Sequence, residues 1–353
     1  MSHMILNTDI CLFFIFSGIK ILILTRRNQD YGQIQTGVLT LRSDSTQNFK
    51  ATYEPVSNSF GDRHNLIATN GGSVSFIGGM MDMMDDDLMD SEIVDSLESR
   101  TNNRTCYVFE YDLKDSKRIS NLNFKGPFSS LLYFSPSSKS QEKVLIATGY
   151  SSYYDLIFGT KGSNRIEYLI LNGSYRTNSW KVCKDKLPSS VSDYQINKYK
   201  DKIILTGGYH CDDREFSNQV WQGNIVFDGT ELRVSWTLLK PMHDKRLNHV
   251  AIVIGNSIYC LGGEEDEDKD DLKSTEYYSF ETKEWARGKD LSFGLSQGKG
   301  VVVEALKLCF IIGGVRDGVK SSKVSLFDPV EGILDIEREI DLDSYNEIAA
   351  ILL

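Results

Sequence analysis

A short apolar run closed by two small residues recurs six times along the 353-residue chain. The copies are FFIFSG ending at Gly18, VSFIGG at Gly79, VLIATG at Gly149, IILTGG at Gly208, IYCLGG at Gly263 and CFIIGG at Gly314. Their intervals are 61, 70, 59, 55 and 51 residues. Self-similarity of this period points to an array of small units, each burying its apolar face by stacking on the next. In the most regular copy, residues 249–254 (HVAIVI) and 257–261 (SIYCL) read as two strands. After a polar loop, EYYSFET and EWARGKDL read as two more. Short strands bounded by turn residues form an all-β meander. The glycines have a physical reason. A chain leaving a buried inner strand turns sharply against neighbouring backbone, and only glycine combines φ > 0 with no Cβ.

Composition sets limits on this reading. Apolar residues make up 41% and charged residues 25%, enough for a packed core. A net charge of −10, with no long Lys/Arg cluster, argues against nucleic acid and anionic membrane as partners. Cys11, Cys106, Cys183, Cys211, Cys260 and Cys309 show no metal-ligand or redox spacing, and most sit in apolar runs. They read as buried reduced thiols, so the expected location is cytoplasmic. Sequons at Asn103 and Asn172 do not outweigh this, because so short a pattern arises readily by chance. Residues 10–24 (ICLFFIFSGIKILIL) lack the basic start and cleavage site of a signal peptide. They are also too short for a membrane span, and Lys20 interrupts them, so they read as a buried strand. Residues 1–4 (MSHM) read as a remnant of recombinant expression.

The residues around the glycines repeat as well. Tyr278 and Trp285 stand seven apart, Phe327-Asp328-Pro329 marks a corner with Leu334 at the tryptophan place, and Tyr111-Asp112 and Phe227-Asp228 are further corners, the latter followed by Trp236. Arg246-Leu-Asn-His249 precedes a first strand. Departures are Arg118 at a tryptophan place, Thr148-Gly149 for the glycine pair of the third copy and Ser17-Gly18 for that of the first. Over nearly the whole chain this pattern resembles the kelch repeat. The resemblance implies an all-β, six-bladed kelch-type β-propeller with four antiparallel strands per blade, spanning residues 5–353. The expected blades are 10–55 plus 344–353, then 63–125, 128–188, 193–241, 246–291 and 297–342. The first copy begins at a second strand, and an extra apolar run (NEIAAILL) ends the chain. That run is expected to close the ring by pairing with residues 11–16.

Strand alternation puts the loops after each second strand on the same face as the connections between blades, and variable loops are where function gathers. Residues 80–98 carry eight carboxylates, Asp85, Asp86 and Asp87 among them. Residues 264–271 carry seven, among them Glu264, Glu265, Asp266, Asp268 and Asp270. The bland reading is solvated charge; the functional one is an acidic rim that steers a basic partner. Arg63 and Arg246 precede first strands, a position from which, by the kelch resemblance, arginines can address a ligand carboxylate. Arg316, Tyr153, Tyr154, His210 and Tyr345 complete the partner-binding candidates.

Chemistry leaves little trace. Asp266, Asp268 and Asp270 alternate like calcium-loop ligands, but Asp271 and Tyr277 replace the required Gly and Glu. His210, Cys211 and Asp212 form the one local cluster. No nucleophile elbow, phosphate loop or dinucleotide fingerprint occurs, so no metal or cofactor is expected. The leading reading is a non-catalytic interaction module or scaffold for a protein or peptide. By family resemblance the partner would be ubiquitin-ligase or cytoskeletal. The alternative is a propeller enzyme acting on a sugar or small metabolite in a central pocket.

Overall fold

The computed structural model describes residues 179–334, except 229, 267 and 268, and the further strands named below before residue 172 and after residue 344. Among these residues the chain is all strand and turn, apart from one short 3-10 turn, Glu304–Leu306. Six four-stranded antiparallel sheets account for most of it. In order across each sheet, the first holds Tyr345–Leu352, Ile19–Arg27, Ile34–Ser43 and Phe49–Phe60. The second holds Ile67–Asn70, Val74–Gly78, Cys106–Glu110 and Asp115–Arg118, and the third Ser130–Phe134, Lys143–Tyr150, Ser163–Leu171 and Lys181–Val182. The fourth holds Gln195–Tyr199, Lys202–Thr206, Val220–Phe227 and Leu232–Leu238. The fifth holds Val250–Ile254, Ser257–Leu261, Thr275–Ser279 and Glu284–Arg287, and the sixth Lys299–Val303, Leu308–Ile312, Val324–Asp328 and Gly332–Leu334.

By internal contacts the chain divides into two compact units. One comprises Met1–Asn28, Gln35–Ser59 and His249–Leu353; the other comprises Gln29–Ile34 and Phe60–Asn248. In the first unit the strand Val250–Ile254 lies beside Lys299–Val303, and that strand beside Tyr345–Leu352. Alternate residues supply the packing, so Val250, Ile252 and Ile254 face a core with Leu295, Cys309, Ile311 and Phe327. The other face of the sixth sheet, with Val301, Phe310 and Ile312, packs on Ile19, Ile21, Ile23, Leu39 and Leu41. In the second unit Ile67–Asn70, Ser130–Phe134 and Gln195–Tyr199 follow one another in the same way. Ile146, Ile166 and Tyr168 there share a core with Ile203, Leu205 and Val234.

The C-terminal strand joins the N-terminal sheet, at a different place from the expected one. Tyr345–Leu352 pairs with residues 21–27, from Ile21 opposite Leu352 to Arg27 opposite Tyr345, while residues 11–16, the expected partners, lie outside the described residues. The reason lies in the side chains: Ile19, Ile21 and Ile23 are buried while Lys20 between them is exposed. Ile19, Ile21 and Ile23 thus share one buried face of the strand.

Glycine pairs close the second strands of the last three sheets with one backbone shape. Gly207, Gly262 and Gly313 have φ of 62°, 61° and 64°; Gly208, Gly263 and Gly314 have 95°, 98° and 92°. Gly149 has φ 66° and follows Thr148, which pairs with Ile166 just as Leu261 before Gly262 pairs with Thr275. Gly149 is therefore the first member of its pair, with Tyr150 as the second, and the Thr148-Gly149 alignment is one residue out of register. Ile333, opposite Phe327, likewise stands where Trp285 stands opposite Tyr278, and Leu334 does not. The turn after Asp328 is one residue shorter, which shifts the spacing.

Candidate interaction surface

The loops after the glycine pairs share a base. In the fourth sheet Gly207 N–H donates to the Gln219 carbonyl (3.0 Å) and Ser217 N–H to the Gly208 carbonyl (2.8 Å). Gly208 N–H then donates to the Arg246 carbonyl (2.7 Å), and Arg246 N–H returns to the Ser217 carbonyl (2.9 Å). The fifth sheet repeats all four: Gly262 to Ser274 (3.1 Å), Leu272 to Gly263 (2.8 Å), Gly263 to Leu295 (2.6 Å) and Leu295 to Leu272 (3.2 Å). The sixth repeats the first two, Gly313 to Lys323 (3.0 Å) and Ser321 to Gly314 (2.8 Å). Each of these three loops is thus clasped at its neck, and in the fourth and fifth sheets the clasp also grips the segment leading on from that sheet. The loop and the inter-sheet connection therefore lie at the same end of the sheet. Between the clasped ends the sequences differ widely: YHCDDREF, EEDEDKDD and VRDGVK.

The structure sorts the candidate residues. Arg246 is fully buried, its Nη2 ion-paired with Asp244 at 2.9 Å. A guanidinium without solvent exposure, held by a nearby carboxylate, acts as an internal tie. His249 is buried as well. His210 is partly buried, and its Nε2 lies 3.0 Å from Ser217 Oγ, which also accepts the Gln219 N–H at 3.0 Å. Ser217 is only 3% exposed, so the pair braces the loop and offers no accessible nucleophile. Across the same hairpin, the rings of Tyr209 and Phe216 meet edge to face at 5.6 Å. Arg316 lies over the Phe293 ring at 4.6 Å and donates to the Lys323 carbonyl at 3.1 Å, so its head is held against the sixth-sheet hairpin. Tyr345 heads the C-terminal strand, opposite Arg27. Arg63, Tyr153, Tyr154, Asp85, Asp86, Asp87 and Asp268 lie outside the described residues.

The acidic loop of the fifth sheet is partly self-neutralised. Glu264 and Glu265 are half-buried, whereas Asp266 and Asp270 are exposed. Lys269 Nζ reaches Glu265 at 3.4 Å and Asp266 at 3.9 Å. Sequence reasoning missed the residues that dock the loop. Burial pushes the Asp271 carboxyl above the usual carboxylate range, and Asp270 and Asp317 push the same way. Hydrogen bonds from the Ser296 hydroxyl and the Gly318 N–H oppose that rise. Asp317 accepts the Gly294 N–H at 2.8 Å and stands 3.7 Å from Lys273. The partners of Asp271 belong to the next repeat, so no local pattern signals them. Among the described residues, no three His, Cys, Asp or Glu side chains converge as a metal site would require. Cys183, Cys260 and Cys309 are buried free thiols, and Cys211 is partly exposed.

Corner residues explain the second half of the repeat. Tyr278 stands directly opposite Trp285 across two strands, ring centroids 5.5 Å apart. Asp228 and Asp328 cap the following turns: Asp228 Oδ1 accepts the N–H of Thr230 (2.9 Å) and Glu231 (2.8 Å), and Asp328 Oδ1 those of Val330 (2.7 Å) and Glu331 (3.0 Å). Four-stranded antiparallel sheets, glycine-closed second strands and clasped loops together define an all-β repeat protein of the β-propeller kind.

The solved structure titled "Structure of YjhT" is similar over 92% of this chain and 96% of its own, with a TM-score of 0.58 at 11% identity, a likeness of fold alone. Residues 245–292 match the Kelch motif. Kelch-like protein 23 of Homo sapiens is 32% identical over 88 residues, which cover 25% of this chain and 14% of that protein. Kelch-like protein 26 of Danio rerio is 26% identical over 172 residues, covering 45% of this chain and 25% of that protein. The matches therefore span a quarter or less of these relatives' length. The chain thus carries a Kelch motif at residues 245–292 and is similar in part to Kelch-like proteins.

Proposed function

We propose that this chain is a protein-interaction module, a six-bladed propeller closed through its C-terminal strand, that holds a peptide or protein segment on the face carrying the clasped loops. The observation that carries this reading is the contrast within those loops. Their necks keep the same backbone hydrogen bonds from sheet to sheet, while the residues between differ in charge and shape. A scaffold that holds the base of a loop constant and varies its tip is suited to recognition. The Kelch-like relatives support an interaction role in general terms. The acidic residues 264–271 suit a partner with basic groups, and such charge matching raises association rate and weakens with salt. A pull-down from lysate at low and high salt tests the reading. A specific protein partner, retained less well at high salt, is the expected result. Recovery of no partner, together with turnover on a panel of sugars, would overturn it in favour of an enzyme.

A further inference from the structure

We draw no further inference here: the strongest candidate, the carboxylate-rich loop at residues 264–271 docked on the sixth-sheet hairpin, is an acidic cluster whose contacts among the described residues all run to this chain itself, and nothing in the structure shows a ligand on it.

Discussion

Arg246 illustrates how one side chain can serve the fold where the sequence suggested a ligand. Its ion pair with Asp244 is sealed from solvent on the arginine side, while Asp244 keeps 18% of its side chain exposed. Removing one partner of a buried pair is costly because the other charge is left uncompensated. For Arg246→Ala we expect a loss of about 2–4 kcal/mol, moderated by the reach of Asp244 to water, read as a lower midpoint in urea unfolding. A midpoint unchanged from the parent would contradict the structural role. Two carboxylates should respond to acid in opposite ways. Asp228 is held at about 2 by the N–H groups of Glu231 and Thr230, then by the Thr230 hydroxyl. Its contribution is present above the ordinary aspartate value and fades as pH falls towards 2. Asp271 is raised by burial, so its preference for the docked state is greatest below the ordinary value and is lost as pH rises through the raised one. Carboxyl carbon shifts followed by NMR from pH 2 to 7 should show Asp228 titrating lowest and Asp271 highest of the two; the reverse order would refute both environments.

At the scale of elements, the glycine pairs are the hinges on which the repeat turns. A Cβ on Gly208 would lie 2.5 Å from the Ser192 carbonyl oxygen, and one on Gly314 would lie 2.6 Å from that of Ser296. Both have φ above 90°, so strain and collision add together. Gly314→Ala should cost about 2–4 kcal/mol, whereas Gly255→Ala, at φ 58° with nothing within 4 Å, should cost about 1 kcal/mol. Denaturant midpoints of the two variants, compared side by side, check the difference. The strand Tyr345–Leu352 carries a second prediction. It fills the edge beside Ile19–Arg27, and Ala350 and Leu352 pack on the core of the first and sixth sheets. Deleting residues 344–353 should abolish the cooperative thermal transition; a deletion variant that melts at the parent temperature would refute the pairing.

The repeating units were legible because their marks are local. Glycines closing one apolar run after another, and a Tyr facing a Trp across one turn, follow from strand geometry within a few residues. Their register was less so. Gly149 and Ile333 each sit one place from the expected position, because hydrogen bonding across strands, and not spacing along the chain, decides which residue is equivalent.

On the scale of the whole molecule, the proposed function turns on charge and on loops held from below. Replacing Asp266 and Asp270 together by Asn should leave the unfolding free energy within about 0.5 kcal/mol of the parent, because exposed charges on a loop contribute little to stability. The same variant should recover less of a partner captured at low salt. Undiminished recovery would place binding elsewhere on the molecule. The candidate site was only partly readable in advance for a related reason: the residues that dock the acidic loop, Ser296, Gly318 and Asp317, lie in the following repeat. By itself, the sequence determined the strand content, the repeat and its glycine hinges, since all of these obey short-range rules of sterics and alternation. Tertiary structure alone decided which stretch the C-terminal strand pairs with, which arginine is buried and how the loop necks are clasped. Those outcomes depend on contacts between residues far apart in the chain, and burial in such contacts is what turns a charged side chain from a surface group into an internal tie.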